Sequence, residues 1–219
     1  MPDHRRHIRS FVRRDSRVTK AQSAALENYL EKYRFRPGQE ALSGYSSVNL
    51  EIGAGDGQCT LDLSRRRPAS AWVAAEVYRA GLGRLVHAVE QEGLVNVRAS
   101  DEDVVALIAT VPPEYFDSIM IFFPDPWPKK RHHKRRLINE DFFVRLSRVL
   151  KRNGRVFIAT DIEDYALQIL EAIDGSSYWT NLSGPGTWSI RPKFRILTKF
   201  EAKGVAAGRK IFDVVARKN

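Results

Sequence analysis

The segment Glu51-Ile52-Gly53-Ala54-Gly55-Asp56-Gly57 sets three glycines at alternate positions directly behind an apolar run. Glycine tolerates positive φ and lets a ligand approach the backbone closely. A dinucleotide fingerprint starting at Gly53 would need glycine at 58, where Gln58 stands, and the G-K-[S/T] of a phosphate loop is absent. Acids at Glu51 and Asp56 would repel a pyrophosphate. A ligand with a cationic centre and an amino group suits the loop better. S-adenosylmethionine has a sulfonium, an ammonium and no phosphate, so Glu51, Gly53 and Gly55 are candidate contacts for it. Glu76 closes the next apolar run, 19 residues after Gly57, where an acid can accept from both hydroxyls of a ribose. Asp103 follows a third run and is placed for an adenine amino group, with Asp101 and Glu102 as alternatives.

A second candidate centre follows the most apolar run of the chain. Phe122-Phe123-Pro124-Asp125-Pro126-Trp127-Pro128 presents Asp125 between prolines that stiffen the backbone. Phe, Pro and Trp around it are expected to desolvate its carboxylate partly, and Trp127 offers a face on which a base can stack. Lys129-Lys130-Arg131-His132-His133-Lys134-Arg135-Arg136 comes next, six Lys/Arg and two His in eight residues, a run suited to phosphates. His132 and His133 lack the spacing and partners of a metal site, so no metal is expected.

These residues need a frame that brings strand ends together. The T-x-x-Q spacing of Thr19 and Gln22 predicts a capped helix reaching about Tyr33. Apolar runs predict strands over Val48–Ile52, Ala71–Val77, Val95–Ala99, Asp117–Phe123, Arg155–Ala159 and Ile211–Ala216. Helical patterns fall between them at Gln58–Arg66, Ala80–Glu92, Leu107–Val111, Asn139–Leu150 and Asp161–Ile173, the fourth stopping at Asn153-Gly154. Residues 175–192 read as loop. Strands alternating with helices predict an α/β fold, a Rossmann-like, mostly parallel sheet with helices on both faces and an antiparallel C-terminal strand. Such sheets bind ligands at the carboxyl ends of their strands, where the singled-out acids fall.

Composition narrows the partners. The 219 residues carry a net charge of +10, unevenly spread: residues 1–20, 129–136 and 191–219 are strongly basic, and the segments between them are acidic on balance. Three basic patches on an acidic body predict a field for a polyanion if they converge. The organisation expected is a basic arm over 1–18 followed by one domain over 19–219. A single cysteine, Cys59, fits a reducing compartment. No apolar run approaches the roughly 20 residues a membrane helix needs, so a cytoplasmic protein with no membrane contact is expected. No obligate protein partner is evident.

The run from Phe122 to Arg136 resembles the signature of the bacterial tRNA (guanine-N7-)-methyltransferase family, a class I S-adenosylmethionine-dependent group. Arg9–Arg14 with Arg17–Gln22 is similar to that family's basic N-terminal segment, and Arg195–Gly204 to its C-terminal T-x-x-E element. The resemblance implies methyl transfer from S-adenosylmethionine to N7 of a guanine in the tRNA variable loop. It implies that Glu51, Glu76, Asp103 and Asp125 contact or organise the cofactor, with Asp125 the catalytic acid. It assigns Lys129, Asp161, Thr198, Lys199, Phe200 and Glu201 to the substrate and Arg131, His132, His133, Lys134, Arg135 and Arg136 to RNA. Asp161 and Glu201 would accept from the guanine N1–H and amino group, with Thr198 adding its hydroxyl; Asp161 also reads as a plain helix cap. Val104 after Asp103, and Arg13-Arg14-Asp15-Ser16 in the arm, depart from the family's usual pattern. Two rival readings are an exocyclic amino-group methyltransferase on RNA or DNA, whose loop would carry a second proline, and a nonenzymatic RNA-binding protein on a Rossmann frame.

Overall fold

A computed structural model describes residues 10–11, 18–38 and 42–219, so most of the basic arm lies outside the described residues. Helix α1 (Lys20–Tyr33) starts as its spacing predicts: the Thr19 hydroxyl accepts from the Gln22 N–H at 3.2 Å, and the Gln22 side chain accepts from the Thr19 N–H at 2.8 Å.

Seven strands then form one sheet: β1 (Ser47–Ile52), β2 (Ser70–Ala75), β3 (Val97–Ser100), β4 (Phe116–Phe122), β5 (Leu150–Thr160), β6 (Trp179–Asn181) and β7 (Phe212–Lys218). Their spatial order is β3-β2-β1-β4-β5-β7-β6. The first five are parallel, whereas β7 runs antiparallel to β5 and β6 to β7. Chain order reverses between β1 and β4, so the crevice beyond their carboxyl ends is where a ligand belongs. Helices α2 (Gln58–Arg66), α3 (Arg79–Gln91), α4 (Val104–Thr110), α5 (Glu140–Val149), α6 (Glu163–Asp174) and α7 (Lys199–Ala206) complete the chain. Central strands are buried along nearly their whole length, as continuous apolar runs require. No described helix is long and apolar enough to cross a membrane.

Several expected boundaries move. Strand β2 ends at Ala75, leaving Glu76 just beyond it, and β3 begins two residues late because Val95 is exposed. Asn153-Gly154 does not separate helix from strand. Strand β5 starts at Leu150 and passes through Asn153 at φ 63° in a bulge, where the pairing steps from Phe116–Leu150 to Ser118–Arg155. The loop-rich stretch contains the short strand β6 as well.

Helix α7 is absent from the sequence prediction, and its cap is the T-x-x-E element itself: the Thr198 hydroxyl accepts from the Glu201 N–H at 3.2 Å. The segment before it is pinned by Arg195, a guanidinium buried among charges. Arg195 donates to both oxygens of Asp213 at 2.9 Å and to Glu201 at 2.6 Å, while Arg191 donates to the other Glu201 oxygen. Removing one partner of such a buried set costs about 3–5 kcal/mol, because the remaining charges lose their compensation. Urea denaturation of Arg195→Ala is therefore expected to show a stability loss of about that size; a loss within about 0.5 kcal/mol, normal for a surface site, would mean the network does not hold the segment.

Candidate functional site

The glycine loop takes the shape its residues permit. Gly53, Gly55 and Gly57 have φ of 72°, 60° and 78°, values that side-chain-bearing residues rarely adopt. A Cβ at Gly53 or Gly55 would meet nothing within 4 Å, so open space lies over that backbone. A Cβ at Gly57 would lie 2.3 Å from Leu85 Cδ1, so helix α3 requires that glycine for packing. Gly81 of α3 answers it from the other side: its Cβ would lie 2.4 Å from the Gly55 carbonyl oxygen.

Two carboxylates frame this space. Glu51, at the end of β1, is buried, and its carboxylate accepts from the Thr60 hydroxyl of α2. Burial pushes its pKa up to about 7, the Thr60 hydroxyl and backbone N–H oppose that rise, and the Glu76 charge adds to it. Glu76 is buried too. Its two oxygens accept from the Gly55 N–H and the Tyr78 N–H, both at 2.7 Å. Burial raises its pKa, those backbone donors lower it, and the charge of Asp125 raises it further. Glu76 thus sets the glycine loop as well as facing the crevice. Of the three acids after β3, Asp101 pairs with Arg34 at 2.8 Å, Glu102 is exposed, and Asp103 caps α4 by accepting from the Val105 N–H at 2.8 Å. Open space over two glycines and buried acids beside it fit a cationic ligand with ribose hydroxyls.

Asp125 leaves β4 toward the same crevice, but it is exposed. The expected desolvation by its aromatic neighbours does not hold, because those rings are engaged elsewhere. Phe122 and Phe123 both lie 5.7 Å from the Arg195 guanidinium. Trp127 donates its indole N–H to the Ser10 carbonyl at 2.8 Å and packs under Arg135, 4.9 Å from its ring. One face of Trp127 is therefore covered. Phe123 and Trp127 hold φ of 54° and 45°, strained for such residues, so the loop is fixed by more than its prolines.

The basic run is a 3-10 helix over Lys130–Arg135, and its three-residue period sorts the side chains. His132 and Arg135 face Trp127. His133 and Arg136 face Asp164, at 3.5 and 2.6 Å. Arg131 and Lys134 are exposed, as is Lys129. The expectation that Arg136 reaches outward to RNA fails: its side chain is 1% exposed. It donates to the Pro126 carbonyl at 2.9 Å and to Gln168 at 3.0 Å, and lies 4.7 Å over the Tyr165 ring. It braces the Asp125 loop against α6.

The C-terminal candidates reach the crevice on different terms. Asp161 is not a helix cap, since Ile162 holds that position; it accepts from Arg209 at 2.6 Å and lies 3.1 Å from where a Gly204 Cβ would be. Lys199 pairs with Asp56 of the glycine loop at 2.9 Å, and Phe200 is exposed. Glu201 turns inward and is 1% exposed, so the expected guanine contact from its carboxylate is not available in this arrangement. Two arginines upstream of α7 hold it there. Each basic segment has a contact beyond the carboxyl ends of the central strands: Ser10 at Trp127, Lys199 at Asp56 and Arg209 at Asp161.

A family model described as "Putative methyltransferase" matches residues 46–214. A tRNA (guanine-N(7)-)-methyltransferase of Nitrosospira multiformis is 40% identical over 227 aligned residues, covering 100% of this chain and 98% of that protein. One of Methylococcus capsulatus is 39% identical, covering 99% and 96%. The chain belongs to the tRNA (guanine-N(7)-)-methyltransferase family. Among solved structures, the 16S rRNA methyltransferase KamB matches with a TM-score of 0.58 at 14% identity, covering 82% of this chain and 90% of that one. The aminoglycoside resistance methyltransferase NpmB1 gives 0.56 at 14%, covering 82% and 91%. At that identity the likeness is one of fold, a Rossmann-like methyltransferase.

In this family member motif reading passes over Thr60 and Gly81 as supporting residues, and it gives Arg136 to RNA and Arg195 no role of its own. Thr60 and Gly81 carry no motif. Arg136 was hidden among like charges, and Arg195 among the cations of the C-terminal segment.

Glu51 also makes stability depend on pH. A carboxylate whose pKa rises on folding, from 4.5 to about 7, holds its proton more tightly in the folded chain. The resulting stabilisation is fully present below pH 4.5 and disappears as pH rises through about 7. Melting temperatures of Glu51→Gln measured across that window are expected to fall less with rising pH than those of the natural chain; parallel curves would show that Glu51 does not titrate there.

Proposed function

We propose that this protein transfers a methyl group from S-adenosylmethionine to N7 of a guanine in the variable loop of tRNA. The observation that carries the reading is the juxtaposition of two buried carboxylates, Glu51 and Glu76, beside a glycine loop with open space over Gly53 and Gly55, with Asp125 exposed at the same crevice. Family membership supplies the acceptor.

When bound, S-adenosylmethionine supplies an electrophilic methyl group. Glu51 and Glu76 offer negative charge and acceptor lone pairs to its cationic and hydroxyl groups, and Asp103 lies at the edge of that site. Guanine N7 has an in-plane lone pair and no proton, so no base need deprotonate it; alignment is what the protein must provide. Asp125 holds the purine in line and offsets the positive charge that develops on it. Asp161, once Arg209 yields it, accepts from the guanine N1–H and amino group, which adenine lacks. Thr198 keeps its hydroxyl hydrogen while capping α7, and it contributes a donor. Lys129 and Lys199 approach phosphates near the target, and Phe200 offers an exposed ring. Arg131, Lys134 and Arg135, with His132 and His133 behind them, form the RNA-docking surface. A tRNA substrate supports a cytoplasmic setting for the reaction.

Incubation with unmodified tRNA and labelled cofactor, followed by nucleoside mapping, tests the reaction. Label in 7-methylguanosine, with strand cleavage after reduction and aniline treatment, is expected; label in N6-methyladenosine refutes the assignment. Asp125→Asn is expected to lower turnover well over tenfold, more than about 1.4 kcal/mol of barrier, while the melting temperature stays unchanged. Near-normal turnover in the folded variant removes Asp125 from the chemistry. Changing Arg131, Lys134 and Arg135 together to Ala is expected to weaken tRNA binding and reduce its salt slope by about two to three contacts. An unaltered slope means the run does not touch phosphates.

A further inference from the structure

The sheet face that carries Glu51 has a second polar row, two residues closer to the amino ends of the strands. In register it runs Trp72, Asn49, Ser118, Arg155, Arg217 across β2, β1, β4, β5 and β7. A cavity of about 240 Å³ opens on this row, walled by Phe157 and Phe194, whose rings meet edge to face at 4.9 Å, and by Arg67. The Glu51 row, with Met120 and Phe157, separates it from the methyl-transfer crevice.

Its electrostatics are out of balance. Arg155 and Arg217 sit directly opposite each other on antiparallel strands, a pairing of like charges that destabilises a sheet. Neither makes an ion pair among the described residues. The acid at the cavity, Asp117, is already engaged by Lys151 at 2.9 Å and by the Val48 N–H at 2.8 Å. Arg67 lies over the Phe194 ring at 6.0 Å and adds a third guanidinium. Two buried N–H groups of the row, Trp72 Nε1 and Arg217 Nε, have no hydrogen-bond partner among the described residues. Trp72 is only 3% exposed, so water does not readily serve it. Buried donors without acceptors and opposed cations without an anion are both relieved by one kind of ligand.

We propose that this cavity is a second binding site, for a phosphoryl oxyanion joined to an aromatic group, as in a nucleotide. The oxyanion lies against Arg155 and accepts from the Trp72 indole N–H, with Arg67 at the side and Arg217 opposite Arg155 just outside the lining, where charge-assisted bonds are strong. The ring packs on Phe157, Phe194 and Met120. A free phosphate monoester and a nucleotide of bound tRNA share this chemistry.

Calorimetric titration of the full chain, saturated with S-adenosylhomocysteine, uses phenyl phosphate and inorganic phosphate as probes. Saturable binding of phenyl phosphate is expected, tighter than inorganic phosphate by about tenfold or more, because the ring adds buried apolar area. Arg155→Gln, an exposed position, is expected to weaken phenyl phosphate about tenfold, and Trp72→Phe several-fold, with S-adenosylhomocysteine affinity unchanged. The salt slope of tRNA binding by Arg155→Gln separates the two sources. A slope reduced by about one assigns the site to an RNA phosphate, and an unchanged slope to a small monoester. Absence of saturable phenyl phosphate binding, or natural affinity in Arg155→Gln, overturns the proposal and leaves the methyl-transfer reading untouched.

Discussion

Arg195 is the constraint on which the upper edge of this molecule depends. Its guanidinium joins Asp213 of β7, Glu201 of α7 and the rings of Phe122 and Phe123 at the end of β4. Those are the elements that surround the reaction crevice on its C-terminal side. A buried cation between two carboxylates is an expensive way to gain stability, since an apolar cluster of equal volume often does as well. It gains direction instead. Fixed bonds to both acids set where α7 begins, and α7 in turn sets Lys199 against Asp56 and Gly204 against Asp161.

The acids of the crevice follow a different logic. Burial raises the pKa values of both Glu51 and Glu76; the Glu76 charge adds to the rise on Glu51, and the Asp125 charge to that on Glu76. Left alone, such groups tend toward the neutral form. A cationic ligand reverses that balance, so the energy spent burying them returns as preference for positive charge. The backbone donors on Glu76 keep its oxygens aimed while the glycine loop they hold stays open. Net charge of the whole chain conceals this division: a strongly basic protein sets two buried carboxylates, Glu51 and Glu76, beside its glycine loop.

Much of this was legible in the order of residue types. The Thr19–Gln22 box, the central strands and the glycine loop are local patterns, and local patterns survive folding. What escaped reading depends on distant partners. The T-x-x-E spacing of Thr198 and Glu201 is that of a helix cap as well as of a substrate element; the helix is short, and its glutamate is claimed by arginines six and ten residues upstream. Asn153-Gly154 carries a strong stop signal, yet the pairing of β4 with β5 absorbs it as a bulge. Asp125 sits among rings in sequence and is exposed in space, because those rings pack on Arg195, Ser10 and Arg135.

The run from Lys129 to Arg136 shows why composition alone assigns too many residues to RNA. A 3-10 helix repeats every three residues, so a uniformly basic stretch presents three different faces. One face meets Trp127, one meets Asp164, and one meets solvent. An α-helical turn of the same sequence would have staggered these sets and mixed their roles. The tighter winding lets adjacent cations specialise. Arg136 holds the Pro126 carbonyl and with it the loop of Asp125, while Arg131 and Lys134 stay free for an anion. The short helix whose inner face braces the loop that presents Asp125 thus keeps an outer face of exposed cations.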